Sequence, residues 1–137
     1  MNLQITLFLA GIFALLMVLL SLRVSLRRVT LGGAAEGSAG DEVLRRRIRA
    51  HGNFIEYAPT ALIVVGLIES SGGAKLLVLG LALSFGVSRV LHAMGMLYTS
   101  TPTLRATAML MQHAAFLLAG AWLLAKAMGL GALAYWP

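Results

Sequence analysis

Residues 45–66, RRRIRAHGNFIEYAPTALIVVG, concentrate side chains able to grip and activate an anionic ligand. Arg46, Arg49, Asn53, Glu56 and Thr60 recur at spacings of three and four, which on an α-helix strings them along one stripe. Guanidinium forks hold carboxylates bidentately, a carboxylate such as Glu56 can receive an ammonium, and an arginine set beside a thiol lowers its pKa toward the thiolate. Pro59 leaves the carbonyl of Ile55 without its helical donor and favours a bend next to Glu56. A spare carbonyl beside a carboxylate is a suitable wall for a cationic ligand group. The chain has no cysteine, so it offers neither a thiolate metal site nor a cysteine nucleophile, and any sulfur chemistry has to arrive with a ligand.

The elements that carry this stripe are set by hydropathy. The 137 residues are 59% hydrophobic with a mean hydropathy of +0.87, outside the range of water-soluble domains. Four apolar stretches, Leu3–Leu22, Ile48–Ile68, Leu76–Leu97 and Ala106–Ala125, are each about 20 residues, enough at ~1.5 Å per residue to cross a ~30 Å hydrocarbon layer. They are apolar nearly all round, so the expected architecture is all-α: one membrane domain over residues 1–137, a four-transmembrane-helix bundle. The first stretch lacks a basic start and a small-residue cleavage site before Arg23, and reads as a retained helix.

The net charge of +6 is concentrated between the first two stretches. Arg23, Arg27, Arg28, Arg45, Arg46, Arg47 and Arg49 stand there against Glu36, Asp41 and Glu42, whereas the other side offers Lys75 and Lys126. The positive-inside rule puts this loop in the cytoplasm and both termini outside. Nucleic-acid binding would need a basic face on a soluble element, which is missing. Asp41 and Glu42 mark the start of the second helix. The small-residue pairs Ala82/Gly86 and Ala115/Ala119 allow close helix packing. Tyr98, Trp122, Tyr135 and Trp136 suit the membrane interfaces.

Depth brings a second charge to the stripe. Glu56 lies thirteen residues before Glu69, ~20 Å along the helix, and Arg89 lies fourteen residues after Lys75, ~21 Å. The two charges share a level in the membrane, where each needs a partner or a cavity. A structural Glu56–Arg89 ion pair is one reading; it leaves Asn53 and the proline bend without a purpose. A small proton-coupled exporter working through Glu56 is a second, although arginines crowd that carboxylate. A haem held by His92 and His113 is a third, but no carboxylate accompanies those histidines.

The pattern Arg46-x-x-Arg49-Ala50-His51-x-Asn53-x-x-Glu56-Tyr57-x-Pro59 resembles the signature of the MAPEG family, membrane proteins of eicosanoid and glutathione metabolism. That resemblance implies a homotrimer binding glutathione between subunits near the cytoplasmic face, with a lipophilic second substrate. Arg49, Asn53, Glu56 and Tyr57 match the family's glutathione-contacting positions. Arg27 is similar to the arginine that meets a ligand carboxylate at the end of the first helix. Arg105, opening the fourth helix, is similar to the arginine credited with stabilising the thiolate. On the third helix, RVLHAMGM places His92 and Met96 where leukotriene-forming members carry tyrosines, so the chain is more similar to small bacterial members; His92 there can still donate a hydrogen bond to a ligand. Taken together, the expectation is a glutathione-binding membrane protein, of glutathione transferase or peroxidase type, with Arg46, Arg89 and His92 adding to the site and no bound metal.

Overall fold

In the computed structural model, residues 3–33, 40–99 and 102–130 are described. Four helices account for them: α1 (Gln4–Thr30), α2 (Glu42–Ser70), α3 (Lys75–Tyr98) and α4 (Thr103–Ala127), with no strand among the described residues. Tyr135, Trp136 and Glu36 lie outside the described residues. α1 extends well past Leu22 to carry Arg23, Arg27 and Arg28 on its last two turns. Its end is closed by Gly32 and Gly33, at φ 80° and 76°, a region that suits residues without a Cβ.

α1, α3 and α4 are long and apolar enough to span a membrane. α2 departs from the expectation of a segment apolar all round. It has 29 residues, ~44 Å of helix, and its first half carries the polar stripe. Asp41 caps its N-terminus by accepting from the Leu44 amide at 2.6 Å, and Glu42 continues the acidic first turn. The helix runs unbroken through Pro59 to Ser70.

Neighbours along the chain run in opposite directions, as the joints at both ends require. At one end the Glu69 carboxylate accepts from the Ile5 amide at 3.0 Å, and from the Thr6 amide and hydroxyl at 2.8 and 2.6 Å. The end of α2 thereby satisfies donors that the start of α1 leaves orphaned. At the other end Arg27 reaches Asp41. α3 is the most enclosed span and α1 the least. Phe13 meets Phe54 edge-on at 5.4 Å, and Phe85 meets Phe116 at 4.6 Å. Ala115 and Ala119 of α4 are buried, whereas Ala82 and Gly86 of α3 lie on the side facing Leu9 of α1; small residues permit such close helix packing. Leu7, Phe8 and Leu15 of α1 and Leu110 and Leu117 of α4 point outward, an apolar belt matched to lipid.

Candidate functional site

The site begins with a buried cation. Arg89, 3% exposed, projects from α3 toward α2. Its Nη1 donates to Asn53 Oδ1, its Nη2 lies 3.7 Å from the Met109 thioether, and its guanidinium stands 5.2 Å from the centroid of the Tyr57 ring. Asn53 Nδ2 reaches the same sulfur at 3.9 Å. A side-chain amide, a sulfur and a π face therefore shield this charge, and among the described residues no carboxylate does.

The Glu56–Arg89 ion pair, the structural alternative, is thus not formed. Glu56 is exposed and makes no hydrogen bond or ion pair among the described residues. Helical geometry explains why. At ~100° per residue, Tyr57 stands about 40° to one side of Asn53 and Glu56 about 60° to the other. The Asn53–Tyr57 edge faces α3, which leaves Glu56 on the opposite edge.

Two adjoining cavities collect most of the remaining expected residues. One, of about 210 Å³, is lined by Glu42, Arg45, Arg46, Arg49, Met96, Thr99 and Arg105. The other, of about 410 Å³, is lined by Ile48, Arg49, Gly52, Asn53, Glu56, His92 and Met96. Arg49 and Met96 line both, so the two cavities adjoin and together make a tract from Arg105 to Glu56. Within it Arg46 Nε donates to Glu42 at 2.9 Å, and Arg45 is paired with the same carboxylate. Arg49 is exposed and makes no hydrogen bond or ion pair among the described residues.

Arg105 is placed by a close helix approach. A Cβ on Gly95 would come within 2.7 Å of Arg105 Cγ and 3.2 Å of its backbone nitrogen, so the missing side chain lets α4 start against α3. Arg105 Nη1 then lies 3.4 Å from the Met96 sulfur, and its buried Nε has no hydrogen-bond partner. Met96, at a position where the resemblance leads one to look for a tyrosine, brings a thioether to the guanidinium instead of a hydroxyl.

The other expected residues are spread more widely. Arg27 bonds Asp41 through Nη2 at 2.6 Å and Nε at 3.2 Å, and it lines neither cavity. The Arg27 guanidinium, and next the Leu44 amide, hold the Asp41 carboxyl below the usual carboxylate range. Tyr57 packs against Arg89, and its ring meets His113 and Phe116 at 6.2 and 6.4 Å. His113 donates from Nδ1 to its own helix's Met109 carbonyl at 2.7 Å. His92 instead faces the second cavity, so the two histidines considered for haem have different surroundings. Among the described residues no group of three or more His, Asp or Glu could hold a metal ion.

Sequence reasoning passed over Gly95, Met109 and Gln112. Gln112 is fully buried in α4 with both amide atoms unpartnered, and a lone amide in an apolar helix was its visible signal. Met109 reads as an ordinary apolar helix residue, and no pattern marked it.

Comparison with protein families matches the MAPEG family model over residues 6–125. The chain belongs to the MAPEG family. Membership makes it a glutathione-related integral membrane protein at the level of the family, whose members generally bind glutathione. Comparison with curated proteins and with solved structures finds no match.

Proposed function

We propose that this MAPEG member binds glutathione in the tract between Arg105 and Glu56 and uses the bound thiolate to conjugate or reduce a lipophilic substrate. The observation that carries the reading is the convergence of Arg46, Arg49 and Arg105 on one 210 Å³ cavity, adjoined through Arg49 and Met96 by the cavity that the exposed Glu56 lines. Glutathione presents two carboxylates, one ammonium and one thiol. Arg46 and Arg49 suit the carboxylates by fork geometry, and Glu56, with no partner of its own, suits the ammonium. Arg105 suits the sulfur, since its guanidinium already lies against the Met96 thioether. A nearby cation stabilises the thiolate over the thiol and so supplies the nucleophile at neutral pH.

Attack by this thiolate on an electrophilic carbon forms the C–S bond and expels the substrate's leaving group with its electron pair. With a hydroperoxide, the sulfur takes the terminal oxygen, the alcohol leaves after protonation, and a second glutathione completes the reduction to disulfide and water. Subunit association as a homotrimer would cover Glu56 and Arg49, both exposed on the single chain. The arginine-rich end of the bundle fits the cytoplasmic side of a bacterial inner membrane under the positive-inside rule.

Ultraviolet titration of the bound thiolate tests the assignment. Arg105→Ala should leave binding near the wild-type level and raise the pKa of the bound thiol. An unchanged thiol pKa in that variant removes Arg105 from the chemistry. A structural role remains the second reading for Arg89 alone, on the strength of its burial against Asn53 and Tyr57.

A further inference from the structure

A separate basic cavity of about 210 Å³ opens at the same end of the bundle, where α1 and α3 finish and α2 begins. Arg23, Arg46, Arg47, Glu42 and Tyr98 line it, with Val43 and Leu97 as its apolar members. Glu42 is already engaged by Arg45 and Arg46. Arg23 meets neutral groups: it donates to the Tyr98 hydroxyl and stands 5.4 Å from the centroid of that ring. Arg47 Nη1 donates to the Arg23 carbonyl at 2.8 Å. Asp41 is within electrostatic range of Arg47 but is bonded to Arg27. The cavity thus holds two guanidiniums aimed at neutral acceptors, an arrangement that favours an added anion.

The surroundings specify which anion. Leu19 and Leu26, one turn to either side of Arg23, are 59% and 61% exposed, and the 3-and-4 spacing puts all three on one face of α1. Tyr98 is 65% exposed, as an aromatic at a membrane interface is. A small soluble anion has no use for an apolar track leading away from the cation. A phospholipid does: its phosphate would sit between Arg23 and Arg47 while an acyl chain follows Leu19 along α1. Basic pockets between spanning helices are known to select anionic headgroups.

We propose that the Arg23–Arg47–Tyr98 cavity binds the phosphodiester headgroup of an anionic phospholipid, beside the thiol-peptide tract and sharing with it Arg46 and Glu42. The full-length protein, released from mild detergent for native mass spectrometry with equal amounts of phosphatidylglycerol and phosphatidylcholine of matched acyl chains, provides the test. The wild type should retain phosphatidylglycerol preferentially. Each arginine near an anionic surface is worth a factor of about five, so Arg23→Gln and Arg47→Gln should each reduce the preference by roughly that much and the double variant by about twenty-five-fold. Arg28→Gln, the same charge change on the same helix but outside the cavity, should leave it nearly intact. Equal retention of the two lipids overturns the proposal, as does an equal loss in Arg28→Gln. Displacement of the lipid by glycerol phosphate at the same concentration also overturns it, since the cavity would then take a soluble anion. Either single variant suffices where the other fails to fold.

Discussion

Removing the Asn53 amide tests how the buried Arg89 charge is tolerated. In Asn53→Ala, Arg89 keeps the Met109 sulfur at 3.7 Å and the Tyr57 ring at 5.2 Å but loses its oxygen acceptor. A hydrogen bond to a charged group contributes ~1.5–3 kcal/mol. With Arg89 3% exposed, water cannot replace the lost oxygen without opening the α2–α3 contact, so the upper half of that range applies. We expect ligand-free Asn53→Ala to lose ~2–3 kcal/mol against unfolding in mild detergent, followed by tryptophan fluorescence. Asn53→Asp restores an oxygen and should recover most of the loss. Glu56→Gln, one turn on but exposed and unpartnered, should stay within ~0.5 kcal/mol of wild type. The reasoning fails if Asn53→Ala is as stable as wild type. It fails equally if Glu56→Gln costs as much as Asn53→Ala, because Glu56 would then be the group that compensates Arg89.

Gly95→Ala should cost ~1–3 kcal/mol through overpacking, because its Cβ would meet the backbone nitrogen of Arg105 at 3.2 Å as well as flexible Cγ; thermal unfolding measures the loss, and the bound thiol's pKa should rise with it as Arg105 shifts. The Arg27–Asp41 joint predicts an acid dependence. Asp41 titrates below its ordinary value when folded, so its contribution is present above the unfolded pKa and disappears as pH falls through the lower folded one. The protection of the Leu44 amide against hydrogen exchange, taken relative to its intrinsic rate at each pH, should therefore fall toward acid pH in the wild type, whereas Asp41→Asn should remove that component of the pH profile.

Much of the fold was legible because the membrane imposes it. Long apolar runs separated by glycine-rich or polar turns specify helices, and Asp41 with Glu42 announced the start of α2. The arginine cluster on the polar stripe was equally visible, and Arg46, Arg49 and Arg105 do line one cavity. The pairing across the stripe was not legible. Spacings of three and four define a band about 100° wide, and only tertiary packing decides which edge meets α3; Asn53 and Tyr57 took that edge, leaving Glu56 outside it. Arg27 was read by resemblance as a ligand contact, but its bond to Asp41 crosses a loop whose path the sequence does not state. Gly95 looked like any helical glycine until α4 was seen to start against it.

Calorimetric titration of glutathione into the full-length protein in mild detergent, with Arg49→Ala and Glu56→Gln alongside, addresses the central claim most directly. Stripping one partner from a desolvated charge pair costs ~2–5 kcal/mol, so the account predicts saturable binding to the wild type and losses of that size in both variants, each still folded. Absence of binding to the folded wild type, or wild-type affinity in both variants, would contradict it.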